Sequence, residues 1–482
     1  MKEDIRAGFF WFYHWKGLTK IKSDIQKLLI SENIISSEIY CKKDIPFCYS
    51  RESNDRLKLL TCTLCNLRRI YSSCSNKSIN IGSLNTNFYS DNKISEYALS
   101  SVNTLIGSED PVILKNPILD KEVIDKINFS IEKTKISLLN YLNEEKINFG
   151  FVLNGRMDIL RLASNLLGER NISFLTFERS LLNKGLMIYP NANCLDKNFT
   201  KAIINVRKQI PLRKERFNNT LNLMKERISK SLKGEIFEFQ KRNINYQLKV
   251  KKKYKISFLL SSESEFYQDN MMGWNNVQEA FSKIVNEFGP NAVCFKGHPL
   301  WSNSDAQLTK SKRDIFKENL KSDTFYERFC ENLGVEYIPS YSSKSSLEIA
   351  QLSKIVVLQN STIFYELAFL NIPIITIKDN PEWISARSVI PVRNMNELLK
   401  NKNKIEYFLS KHINTLNEEE TINDAVNIFH SIAYDQPLFH SDICQTTFEV
   451  REAAMKNFIL KINNSKNLFE IYKMLLKSKI RV

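Results

Sequence analysis

The sequence predicts an α/β protein with two parallel-sheet units, and three observations carry that reading. Apolar runs alternate with amphipathic helical stretches twice, once from the N-terminus to about Pro211 and again from Tyr254 to about Ile390, which is the rhythm of strand–helix–strand units. Between them, Arg213 to about Leu248 reads as helical and basic with few turn residues. At 482 residues the chain is also too long for a single core. The expected division is residues 1–211 and 254–394 as Rossmann-like domains, 212–253 as a basic helical linker, and 395–482 as a helical region.

The individual elements follow from local pattern. The N-terminal run from Met1 to Tyr13 reads as a first buried strand, its apolar core being too short for a signal peptide and lacking a small-residue cleavage site. Ile147 to Leu153 and Ile172 to Phe177 are strands, with Met157 to Leu167 a helix between them. In the second unit Ile256 to Leu260, Ala292 to Phe295 and Ile355 to Leu358 read as buried parallel strands. Beyond Asn394, Asn396 to Leu409 and Phe448 to Leu476 read as helices.

Composition narrows the class. Charged residues at 25% and hydrophobic ones at 43% describe an ordinary globular protein, and no apolar stretch approaches the ~18 residues of a membrane span. A cytoplasmic location is expected, peripheral on the inner face of the membrane if the basic segments bind lipid. The net charge of +16 is concentrated: residues 201–255 hold seventeen Lys or Arg against four Glu, and 456–482 hold seven basic residues against Glu470. Such segments fit either an anionic membrane surface or a solvated helical face, and nucleic acid ranks behind both.

Of nine cysteines, Cys41, Cys48, Cys62, Cys65 and Cys74 crowd the N-terminal part, with Cys62 and Cys65 as a CxxC. The Cys41 and Cys48 pair is spaced too widely for a typical structural zinc site, so reduced thiols are expected. His14, His412, His430 and His440 show no metal-like spacing.

Three strings stand just past the strands of the second unit, where ligands of open α/β sheets collect. The first is Ser261-Ser262-Glu263-Ser264-Glu265-Phe266, in which Glu265 is a strand-end carboxylate. The second is Lys296-Gly297-His298-Pro299, where proline holds the histidine extended at a strand end, set to hydrogen-bond a phosphate beside Lys296. The third is Asn360-Ser361-Thr362 with Glu366, offering N-cap hydroxyls to a phosphate and a carboxylate to a ribose. In the first unit, Asn154-Gly155-Arg156 makes a strand-to-helix turn suited to an anion, and Glu178 ends a strand as a possible general base or acceptor contact. Taken singly, Arg156, Glu178 and the Asn360-Ser361-Thr362 string with Glu366 read better as a local ion pair or helix caps, and the pairing of the third string with the His-Pro string is what shifts the balance.

In their order, and with Gly273-Trp274 and Gln278, these strings resemble the capsule and surface-polysaccharide glycosyltransferases of GT-B fold, over about residues 145–380. The His-Pro string followed by a Ser/Thr string is similar to that of enzymes using CMP-activated acidic sugars, the bacterial β-Kdo transferases and sialyltransferases. The resemblance implies a nucleotide-sugar donor, a glycan or glycolipid acceptor, and CMP phosphate bound by His298, Ser361 and Thr362 with Glu366 near the ribose. Lys296, Pro299, Asn360, Ser262, Gly155 and Arg156 complete the expected binding set, with Glu265, Glu178 and His298 catalytic. Glu265 matches in position an acidic residue that is Asp in the β-Kdo transferases. No DxD-type metal string lies near these sites, so no metal or separate cofactor is expected, Lys296, His298 and helix dipoles standing in the metal's place. Two alternatives stay open: a CDP-polyol phosphotransferase of teichoic-acid type, and a scaffold that keeps the fold without catalysis.

Overall fold

The computed structural model describes residues 5–14, 18–31, 33–53, 58–75, 77–81, 93–117, 119–179, 186–210, 212–232, 252–266, 273–298, 301, 322–380, 383, 386–410 and 418–436. The helix expected over Phe448 to Leu476 therefore lies outside the described residues, as do the basic stretches 233–251 and 456–482.

The first sheet contains β1 (Arg6–Phe10), β2 (Ile35–Tyr40), β3 (Lys77–Asn80), β4 (Phe149–Leu153), β5 (Ser173–Arg179) and β6 (Leu186–Pro190). Their order is β3-β2-β1-β4-β5-β6, parallel throughout except for β6, which runs antiparallel to β5. The second contains β7 (Tyr254–Phe258), β8 (Val293–Lys296), β9 (Glu336–Ile338), β10 (Ser353–Leu358), β11 (Ile374–Thr376) and β12 (Val389–Pro391), in the order β12-β11-β10-β7-β8-β9 and all parallel. Read from its first strand, each sheet has the doubly wound order of a Rossmann domain, with a switch point between β1 and β4 and between β7 and β10. This is the two-sheet α/β architecture that the GT-B resemblance implies.

Central strands are buried on both faces, as parallel strands covered by helices must be. In the first core Phe9 stacks on Phe151 at 4.8 Å, and Phe151 on Phe177 at 5.9 Å. In the second, Phe258, Phe281 and Phe295 pack in sequence, and Trp301 stacks on Tyr326 at 5.0 Å. The helix Val277–Phe288 shows how the local sequence sets an element. Asn276 caps its N-terminus by accepting from Glu279 N at 2.8 Å, and Val277, Ala280, Phe281, Ile284 and Val285 make its buried stripe. Gly289, at φ +78°, ends it.

A third cluster joins the two halves. Met187, Tyr189, Cys194 and Ile204 pack with Met224 and Ile228 of the helix Lys214–Leu232, and with Val426, Phe429 and Ile432 near the end of the described chain. There the helix Glu418–His430 runs on into a π-helical turn, Ser431–Asp435. Asp435 accepts two hydrogen bonds from Arg207, 2.7 Å from Nε and 2.6 Å from Nη2, both side chains being buried. Bidentate geometry satisfies both carboxylate oxygens and fixes the turn against the helix Asn198–Gln209.

Candidate functional site

The strand-end strings of the second unit meet at the β7/β10 switch point. Past β7, Ser261 Oγ donates to the Asn360 carbonyl past β10, which ties the first string to the third. Gln359 Nε2 donates to Glu263, and Asn380 Nδ2 to the Gln359 carbonyl, so both strand exits are braced from beneath. On the far side of β7, β8 leads directly into Lys296-Gly297-His298. Topology thus puts the His string and the Ser/Thr string on either side of the β7 exit.

His298 is half-buried, its ring centroid 6.3 Å from that of Trp301. Burial and then the charge of Lys296 lower its pKa to about 4, so the imidazole is neutral at pH 7 and carries one N–H. Lys296 itself is buried, with Nζ donating to the carbonyls of Pro339 (2.6 Å), Ser340 (3.2 Å) and Gly297 (3.3 Å). Its ammonium therefore pins the segment after β9 to the His string. Gly297 is required by that same contact: a Cβ there would stand 2.7 Å from Ser340 N and 2.8 Å from both Asp323 Oδ1 and Tyr337 Oη. Pro299 lies outside the described residues.

The third string differs in detail from its expected form. Neither Ser361 nor Thr362 caps the helix Phe364–Phe369; the N-cap position is Ile363, with no side-chain cap bond. The reason lies in the exit from β10, which is held toward β7 through the Asn360 carbonyl and then turns, Phe364 N donating to Ser361 O at 3.1 Å. Asn360 and Ser361 are half-buried and Thr362 is exposed. Glu366 is buried and pairs with Arg227 Nε at 2.7 Å, while its Oε2 has no hydrogen-bond partner. Burial raises its pKa against the opposing charge of Arg227.

The first string is held by a residue that the sequence reading missed. Glu109, fully buried in the loop after the helix Glu96–Ile106, accepts hydrogen bonds from Ser262 Oγ, from Glu263 N at 2.8 Å and from Ser264 N at 3.4 Å. Its own carbonyl accepts from Gln278 Nε2 at 3.2 Å, and two residues earlier the Gly107 carbonyl accepts from Ser322 Oγ at 2.8 Å. Burial, aided by the charge of Glu263, pushes the Glu109 carboxyl up to about 8 despite the donors around it. In sequence, Asp110-Pro111 merely marks a helix start, and Asp110 does cap the helix Pro111–Lys115. Nothing local distinguishes Glu109, because its role depends on a contact 153 residues away. Glu265 lies in the helical turn Glu263–Phe266, and only its backbone is described.

The strings of the first unit are arranged differently. Asn154 (φ +43°) and Gly155 (φ +64°) make the turn after β4, and Arg156 N is taken by Asn154 Oδ1 at 2.9 Å. Gly155 faces protein, where a ligand was expected: a Cβ would meet Ser164 Oγ at 2.6 Å and Thr176 Cγ2 at 2.9 Å. Arg156 and Glu178 are half-buried and both act electrostatically on the buried Cys194 thiol, which places them in one neighbourhood. Asp158, also absent from the expected set, is buried between Tyr13 Oη, Tyr49 N (3.0 Å) and Ile159 N (2.8 Å). Burial pushes its carboxyl up to about 7.

All eight described cysteines are free thiols. Cys41, Cys48, Cys62 and Cys65 line one small open cleft beside Phe12 and Tyr13, with Lys43 and Arg51 at its wall. Among the described residues, no group of three or more His, Cys, Asp or Glu is set to hold a metal ion.

No protein-family model matches the sequence, and no curated protein does. Solved structures match at low identity. A glycosyltransferase from Rickettsia africae is 11% identical, covering 96% of this chain and 98% of its own, with a TM-score of 0.31. The UDP-GlcNAc 2-epimerase of Methanocaldococcus jannaschii is 13% identical over 88% of this chain and 99% of its own, at 0.26. That of Neisseria meningitidis is 12% identical over 88% and 98%, at 0.23.

Proposed function

We propose that the protein is a GT-B glycosyltransferase that transfers a sugar from a nucleotide donor, by preference a CMP-linked acidic sugar such as Kdo, onto a growing surface polysaccharide. The observation that carries the reading is the β7/β10 crevice, where Ser261 is bonded to Asn360 between a neutral imidazole past β8 and a buried, half-satisfied carboxylate past β10.

Each group has a task that follows from its state. Neutral His298 donates its N–H to an oxygen of the departing phosphate, and Thr362, being exposed, donates its hydroxyl to the same group. The unpartnered Oε2 of Glu366 accepts from a ribose hydroxyl, while Arg227 holds the other oxygen. Glu265 takes the proton of the acceptor hydroxyl as the sugar–oxygen bond forms, and the nucleotide leaves with the electron pair of the broken bond. Lys296 acts through the loop that it ties, as a positioning residue.

Saturation-transfer NMR with CMP, CDP and UDP tests the donor: CMP should give the strongest transfer. A clear preference for UDP would exclude the cytidine reading, and a preference for CDP would favour polyol-phosphate transfer. Transfer is tested with Glu265→Gln and His298→Ala, each expected to lower polysaccharide production at least ~100-fold. Unchanged production with both variants would leave only a non-catalytic binding role.

A further inference from the structure

The helix Lys58–Ser72 is built inside out. Among its described side chains the exposed ones are Leu60, Thr63, Leu64, Leu67, Ile70 and Tyr71, so all but one of these are apolar, and Tyr71 is 87% exposed. Positions 60, 64, 67 and 71 follow the helical repeat and form one continuous stripe. The face turned toward the protein carries Thr61, Cys62, Cys65, Asn66, Arg68 and Arg69 instead. An ordinary surface helix has the opposite arrangement.

Specific bonds hold the helix this way round. Arg69 Nη1 donates to buried Glu38 at 3.1 Å, its guanidinium 3.7 Å from the ring centre of Tyr40, and Arg68 Nη1 donates to the His14 carbonyl at 3.3 Å. Thr61, Cys62, Cys65 and Asn66 wall the thiol-lined cleft. Turning the apolar stripe inward would break the Arg69–Glu38 pair and strand a buried carboxylate that also holds Lys22 at 2.6 Å. The stripe is thus presented outward by design of the inner face.

Charge identifies what covers it. The helix contains no acidic residue, and its Arg68 and Arg69 are engaged on the inner face. Beside it, Lys42 and Lys43 are exposed, and Lys43 Nζ reaches Thr63 Oγ1 at 3.1 Å. An apolar stripe flanked by cations matches an anionic bilayer surface. A second copy of the chain, paired about a two-fold axis, would bring the same cations together.

We propose that this face docks the protein on an anionic membrane, with Leu60, Leu64, Leu67, Ile70 and Tyr71 entering the headgroup boundary and Lys42 and Lys43 meeting lipid phosphates. Because the same helix walls the cleft with its inner face, docking sets that cleft at the bilayer surface. This goes beyond sugar transfer and does not depend on it.

Flotation of the full chain with vesicles of phosphatidylcholine alone, or with 30 mol% phosphatidylglycerol (about one anionic lipid in three), tests it. The wild type should float with the anionic vesicles, and Leu64→Ser/Leu67→Ser, at side chains 37% and 42% exposed, should lower the bound-to-free ratio at least ~tenfold while the protein stays folded at the assay temperature by circular dichroism. The independent pair Leu60→Ser/Ile70→Ser should do the same. Wild-type-like flotation of both double variants would overturn the proposal and assign lipid binding to the basic segments 201–255 and 456–482. So would absence of flotation by the wild type, or a dimer in sedimentation velocity that either pair converts to monomer.

Discussion

The two sheets share a strand order and differ in what occupies their switch points. Between β1 and β4 the chain packs against its own strand ends: Trp11, Phe12, Tyr13 and His14 are all buried, and Asp158 is enclosed by Tyr13, Tyr49 and its own helix. Between β7 and β10 the strand exits are tied to each other through Ser261 and Asn360, with Thr362 exposed and His298 half-buried beside them and a buried Glu366 oxygen without a hydrogen-bond partner. The same strand order thus ends in a packed plug at one switch point and, by our proposal, in a binding site at the other. Side chains at the strand ends, more than the fold, decide which.

Substitutions at corresponding turns should separate the two roles. Gly155→Val places a β-branched residue at φ +64° against Ser164 and Thr176, and should cost about 3 kcal/mol or more in urea unfolding. Gly297→Ala meets Ser340, Asp323 and Tyr337 and should cost about 2 kcal/mol, but it should also weaken nucleotide binding by shifting His298. A Gly297→Ala protein of full stability with unweakened binding would break the comparison at its second half.

Acidity should distinguish the plug next. The folded-state pKa of Asp158 is raised to about 7, above its unfolded value near 4, so the folded protein holds the extra proton between these limits. That contribution is fully present below about pH 4 and is lost as pH rises through about 7. Against Asp158→Asn, which mimics the protonated form, the wild type should lose relative stability from pH 5 to 7.5, read as the difference in urea midpoints. Glu109→Gln should show the same sign with its window extended to about pH 8. A difference that grows in the wild type's favour over this range would contradict both assignments. The smallest effect belongs to Thr362→Ala: stability within about 0.5 kcal/mol of wild type, with weaker nucleotide binding by NMR titration.

Much of this frame was legible in the sequence. Apolar runs located β4, β5, β7, β8 and β10 within about three residues, because parallel strands covered on both faces must be continuously hydrophobic. β2 is harder to read: its Ile-Ser-Ser-Glu-Ile-Tyr pattern buries Glu38, which is tolerable only because Lys22 and Arg69, distant in sequence, neutralise it. The candidate site divides in the same way. His298 and Thr362 can be proposed from their place at strand ends, whereas Glu109 and Arg227 bond partners 153 and 139 residues away, and no local pattern encodes such pairing.

The Arg207–Asp435 pair bears on how the chain is made. Its partners are 228 residues apart, so during synthesis at ~5–20 residues per second Arg207 waits ~10–45 s for its carboxylate. Over the same interval the helix Asn198–Gln209, with its buried Ile204, lacks the helix Glu418–His430 and the turn Ser431–Asp435 that later pack against it. The nascent first half thus leaves the ribosome with a sticky flank, and holding chaperones should engage it there until Glu418–Asp435 has been made.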